Sequence, residues 1–131
     1  MNAPLRVLEF VSESSGIAGG YAGWVLQRFG ADVRRFVHRE PRAQAELNGE
    51  ALTLGALAQG KSEARGVDID TFERELDACD ILLCDDHVEL EAFAGARDAI
   101  RRRHPQTIVS IASPFGLTGP YADYPGTSLD A

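Results

Sequence analysis

RVLEFV (6–11), SESSGIAGG (12–20), YAGWVLQRFG (21–30) and ADVRRFV (31–37) follow one another without a break, and their reading decides the fold. Val7, Leu8, Phe10 and Val11 make an apolar run of strand length. Gly16, Gly19, Gly20 and Gly23 let the backbone turn sharply and come close to a neighbour or a ligand. Tyr21, Trp24, Val25, Leu26 and Phe29 then recur at helical spacing, with Gly30 where a C-cap belongs. Asp32 to Val37 is again strand-like. Strand, glycine-rich turn, helix and strand open a parallel α/β sheet, and such a turn faces whatever the protein binds.

The same alternation continues downstream. His38 to Glu50 is polar and broken by proline, hence an exposed loop. Leu52, Leu54 and Leu57 mark a short helix over 51–58, ending at Gln59-Gly60. Val67 to Ile69 reads as a very short strand, after which Asp70 or Thr71 caps a helix over TFERELDA. DILLC (80–84) has the uniform apolarity of a strand buried on both faces. Val88 to Arg103 is predicted as one helix, with Leu90, Phe93, Ala96 and Ile100 on one side and arginines at its end, where cations suit the dipole. TIVSIA (107–112) is a further strand, and 114–126 a Gly/Pro-rich loop. The expected fold class is therefore α/β, a Rossmann-like open parallel sheet with helices on both faces. Its ligand edge, beyond the carboxyl ends of the strands, carries residues 12–20, 38–42, 85–87 and 113–119.

At 131 residues the chain is about one domain. Thirteen basic against 20 acidic residues leave a net charge of −7, which disfavours non-specific nucleic-acid binding. Cys79 and Cys84 lie in apolar surroundings and read as buried free thiols. Without a signal peptide or an apolar run of about 18 residues, the expected location is cytoplasmic, with no membrane partner.

Candidate chemistry gathers at the ligand edge. The glycines at 16, 19, 20 and 23 do not form a clean G-x-G-x-x-G, so a close-packed strand-to-helix turn stands beside a phosphate seat at the helix N-terminus. Arg34, Arg35, His38, Arg39 and Arg42 form the main basic cluster, readable as a phosphate grip or as solvated charge. Asp85 and Asp86 follow the buried strand; adjacent residues point to opposite faces, so at most one of them enters a site, while Asp86 or His87 caps the next helix. That geometry argues against a metal, and none is expected. Neither Gly-x-Ser-x-Gly nor a His with an evident Ser or Cys partner is present.

IVSIASPFGLTGPYAD (108–123) closely resembles a segment of the family III CoA-transferases, the CaiB/BaiF family, in which a strand runs into a Phe-Gly-x-Thr-Gly-Pro-Tyr loop. RVLEF…SGIAGGYAGWVLQRFGADV looks like the first strand and helix of that family, whose turn usually reads Ala-Gly-Pro. Gln59-Gly60-Lys61-Ser62 is similar to its Asn-Arg-Gly-Lys-Arg-Ser signature, and Asp77 to Leu83 to the strand before its Asn-Phe-Arg-Pro-Gly loop. The resemblance runs in order from Leu5 to the last residue. It implies CoA transfer between carboxylic acids, in which an aspartate attacks the thioester carbonyl and glycine-turn amides hold the oxyanion. It also implies a homodimeric or otherwise homo-oligomeric protein that takes CoA or acyl-CoA as substrate and holds no tightly bound cofactor.

The family's catalytic aspartate lies beyond the matched segment, so the chain reads as the N-terminal α/β portion of a longer enzyme, inactive by itself. Gly20 stands where the turn has proline, the second arginine of the Gly-Lys-Arg signature is missing, with Glu63 following Ser62, and Asp85-Asp86-His87-Val88-Glu89 stands where the CoA-holding loop is. Thr127, in the place of the racemases' histidine, disfavours racemase chemistry. The expected walls of a CoA site are Ile17, Ala18, Gly19 and Gly20, Arg39, and Asp85 with Asp86. The alternative is a degenerate, non-catalytic scaffold or oligomerisation half of a CaiB/BaiF-like protein; an ordinary dinucleotide-binding domain is a weaker third reading.

Overall fold

In the computed structural model, which describes residues 3–41 and 55–124, β1 (Arg6–Val11) sits at the centre of a five-stranded, all-parallel sheet. β2 (Asp32–Val37) pairs on one side with Phe10 opposite Phe36, and β4 (Ile81–Cys84) on the other with Phe10 opposite Cys84. β3 (Ser62–Arg65) and β5 (Ile108–Ile111) are the two edges, giving the order β3-β2-β1-β4-β5. This is the α/β, Rossmann-like architecture expected from the alternation of apolar runs and helices.

Strand periodicity divides the core. Leu8, Phe10, Phe36, Leu82 and Cys84 face one way and pack with Phe72 and Leu76 of α2 (Ile69–Asp77), Leu90 and Ala94 of α3 (His87–Ala94) and Ile100 of α4 (Arg97–Arg103). Val7, Val33 and Leu83 face the other way and pack with Ala22 and Leu26 of α1 (Ile17–Arg28). α1 ends in a Schellman motif: Gly30, at φ +100°, donates to the Gln27 carbonyl and Ala31 to that of Leu26. Of the residues whose spacing marks α1, Tyr21 and Phe29 face solvent, at 54% and 86% exposure. Cys79 and Cys84 are buried free thiols, and burial pushes the Cys79 thiol up to about 11.

Three local expectations are corrected. The short strand is Ser62–Arg65, not residues 67–69; its SEAR sequence carries no apolar signal because an edge strand is half solvated, and charges protect that edge from further pairing. The single helix over 88–103 is two, α3 and α4, because Gly95 at φ +93° breaks the helical path. The cap of α2 is Asp68, not Asp70 or Thr71; its carboxylate accepts from the Asp70 amide at 3.0 Å and the Thr71 hydroxyl at 3.2 Å. Residues 55–58 are helical as expected; the rest of the expected helix (51–54), Arg42, most of the polar loop and residues 125–131 lie outside the described residues. Among the described residues no helix is long and apolar enough to cross a membrane.

Candidate functional site

Connections from the sheet centre run to β2 on one side of β1, while β4 lies on its other side, so the carboxyl ends of β1 and β4 form the crevice where open α/β sheets bind ligands. A small cleft, partly open to solvent, lies there against α1 and is lined by Glu9, Ser15, Gly19, Arg35, Lys61 and Asp85.

The turn from β1 into α1 is stitched to itself: the Ser12 amide donates to Ser15 Oγ at 2.8 Å and the Ser15 amide to the Ser12 carbonyl at 3.0 Å. This brings the first amides of α1 over the end of β4. There the Gly16 and Gly19 N–H groups donate to one oxygen, Oδ2 of Asp85, at 3.1 and 3.0 Å. The helix N-terminus therefore holds an anion, and the anion is a side chain of this chain. Glycine eases the approach, since a Cβ at position 19 would stand a tight 3.3 Å from the Asp85 carboxyl carbon. Burial pushes the Asp85 pKa up, while hydrogen bonds from Gly19, Ser15 and Gly16 pull it back.

Beneath α1 lies an ionic layer. Glu9, on the strand face of Val7 and Val11, receives the Lys61 ammonium at 2.5 Å; the same ammonium reaches the Gly20 carbonyl at 2.9 Å. Lys61 has no exposed side-chain surface, and Glu9 keeps only 4% of its own. Arg35, opposite Glu9 in the β1–β2 register, donates to Glu63 at 2.5 Å and stands 3.8 Å from Glu9. Burial pushes the Glu9 carboxyl up to about 7 against the pull of Lys61 and Arg35, and burial lowers the Lys61 pKa. α1 passes over this layer at Gly23, where a Cβ would overlap the Glu9 carboxylate and come within 2.8 Å of its Cδ. Three perturbed titratable groups thus line one cleft, the pattern that marks functional sites and structural ion networks alike.

The sequence-derived residues separate here. Ile17, Ala18, Gly19 and Gly20 form the first turn of α1, and of these Gly19 meets Asp85. Asp86 turns away and caps α3, accepting from the Glu89 amide at 3.1 Å, so the two aspartates do take opposite roles. Arg39 stands at the same sheet edge, more than half exposed, 3.3 Å from Glu89 and 4.0 Å from Glu13. The basic cluster is paired throughout its described members: Arg34 with Glu75, Arg35 with Glu63, and His38 with Glu89 at 3.3 Å. His87 meets Asp123 at 3.2 Å. Sequence reasoning passed over Glu9 and the burial of Lys61; the available signal was a carboxylate in the middle of the central apolar strand, which demands a buried cation. No protein-family model matches this sequence, and no curated protein matches it.

Proposed function

We propose that this chain is the N-terminal α/β portion of a family III CoA-transferase-like protein, acting on acyl-CoA and a carboxylic acid in the cytoplasm as a homo-oligomer. The nucleophilic aspartate is contributed by sequence outside these residues. One observation supports the reading: two of the segments that resemble the family, the turn after β1 and the stretch after β5, fall on the ligand edge of a β3-β2-β1-β4-β5 parallel sheet. The glycine turn borders the crevice, the Ser113–Gly119 stretch follows β5, and Arg39 stands at the rim with its side chain more than half exposed. On this reading the adenosine phosphates lie along the outer rim, where Arg39 offers charge-assisted contacts and the exposed side of the 17–20 turn offers surface.

The test is a calorimetric titration of the full chain with CoA, with NADH and ATP as controls. Saturable heat from CoA alone, reduced in Arg39→Ala, supports the reading. Heat from none of the three removes this chain from the CoA site, and a preference for NADH replaces the reading with a dinucleotide-binding domain. The engagement of Asp85 by the α1 amides favours the second reading, a non-catalytic scaffold half, because the anion seat of the crevice is already filled.

A further inference from the structure

We infer that Asp85 closes the crevice from within: its carboxylate occupies the seat at the α1 N-terminus that a Rossmann-like fold otherwise offers to a phosphate, so this seat excludes phosphorylated ligands in the unmodified chain. Three features carry this, two of them facets of one contact. The Gly16 and Gly19 amides both converge on Asp85 Oδ2, at 3.1 and 3.0 Å. The carboxylate sits in the seat itself, 3.3 Å from where a Gly19 Cβ would stand. The two cations that line the same cleft are also committed: Lys61 to Glu9 and the Gly20 carbonyl, Arg35 to Glu63 and Glu9. An incoming phosphate would meet two carboxylates, the buried Glu9 and the partly buried Asp85, and no disengaged cation among the described residues that line the cleft. Its entry would require Asp85 to leave two amide bonds and become exposed, with the phosphate taking over those same two bonds. The exchange gains little, because one anion replaces another in a helix field of fixed strength.

The inference concerns the inner seat alone, whereas the CoA reading places its ligand on the rim. Its test follows the Gly16 and Gly19 amide resonances of the full, 15N-labelled chain during titration with ADP. In the unmodified chain neither resonance is expected to move at millimolar ADP. In Asp85→Ser, checked for folding by its amide dispersion, both should shift saturably. A saturable shift in the unmodified chain overturns the inference, and so does a folded Asp85→Ser chain whose amides stay still. Should the serine variant not fold, Asp85→Asn keeps the volume and one acceptor oxygen but drops the charge; the same shift, at higher ADP, is then expected, and its absence counts equally against the inference. CoA titrated in parallel separates the two proposals. Saturable CoA heat with still Gly16 and Gly19 resonances supports both, whereas CoA that moves them upholds the CoA reading and overturns the closure.

Discussion

The two faces of the sheet are built on different physics, although the same strands supply both. Under α2, α3 and α4 the face is aromatic: Phe72 lies 5.7 Å from Phe10, 5.0 Å from Phe36 and 5.4 Å from Phe93, ring centroid to centroid. Under α1 a few aliphatic side chains share the space with Glu9, Lys61 and Arg35. Burial of apolar area is non-directional and forgiving of shape, whereas a buried ion layer holds only while every charge keeps its partner. The ligand crevice opens on the demanding face. Its geometry is therefore determined by a charge network, and the aromatic face serves as the base that keeps the strands in register.

Breaking one partner should expose that difference most sharply. Lys61→Met leaves the buried Glu9 with only the more distant Arg35 as a cation and should destabilise the chain by about 3 kcal/mol in urea unfolding. The double change Glu9→Leu with Lys61→Met should recover most of the loss, since apolar groups of similar volume replace a buried pair at little or no penalty; no recovery would mean that the pair is needed for packing rather than for charge.

The pH dependence follows from the same pair. The folded-state pKa of Glu9, raised to about 7 from 4.5, favours its protonated form. Its contribution is fully present below the unfolded value and is lost as pH rises through about 7. Unfolding midpoints should therefore fall between pH 5 and 8 in the unmodified chain and flatten in Glu9→Gln. Lys61, lowered by burial, has the opposite sign, its contribution being present above its unfolded value and lost as pH falls through its folded one.

Gly23→Ala drives a methyl group into the Glu9 carboxylate and should destabilise by about 1–3 kcal/mol, with α1 lifted from β1 and the crevice resonances displaced. Leu76→Met probes the forgiving face: Leu76 is fully buried, yet a swap that nearly conserves volume should stay below about 1.5 kcal/mol and leave those resonances in place. A larger loss there would erase the contrast between the faces. The smallest expected effect is that of Asp86→Ala, about 1 kcal/mol from the lost α3 cap, with no change at Gly16 or Gly19. Asp85→Asn, one residue earlier, should move both resonances.

The central unit was readable because its signals are local. An apolar run, a glycine turn, helical spacing and Gly30 at the helix end led to β1, α1 and β2, and DILLC to β4, since burial on both faces leaves no polar alternation. β3 escaped because SEAR reads as loop: what makes it a strand is the register of Arg35 with Glu63 and Phe36 with Ala64, a matter of its neighbour. The break at Gly95 escaped because apolar spacing persists across it while the backbone turns to positive φ. The opposite roles of Asp85 and Asp86 were foreseeable from strand alternation, but which partner each would take was not.

By itself, then, the sequence determined the class of fold and the edge at which the crevice opens, because hydrophobic period and turn chemistry act over a few residues. Only the tertiary structure decided what fills that crevice. Gly19 and Asp85 are 66 positions apart and Lys61 and Glu9 are 52 apart, and no local pattern reports that they meet. Strand order and register bring them together, and burial then makes each contact obligatory, since a charge taken out of water must find a partner wherever the fold has placed one.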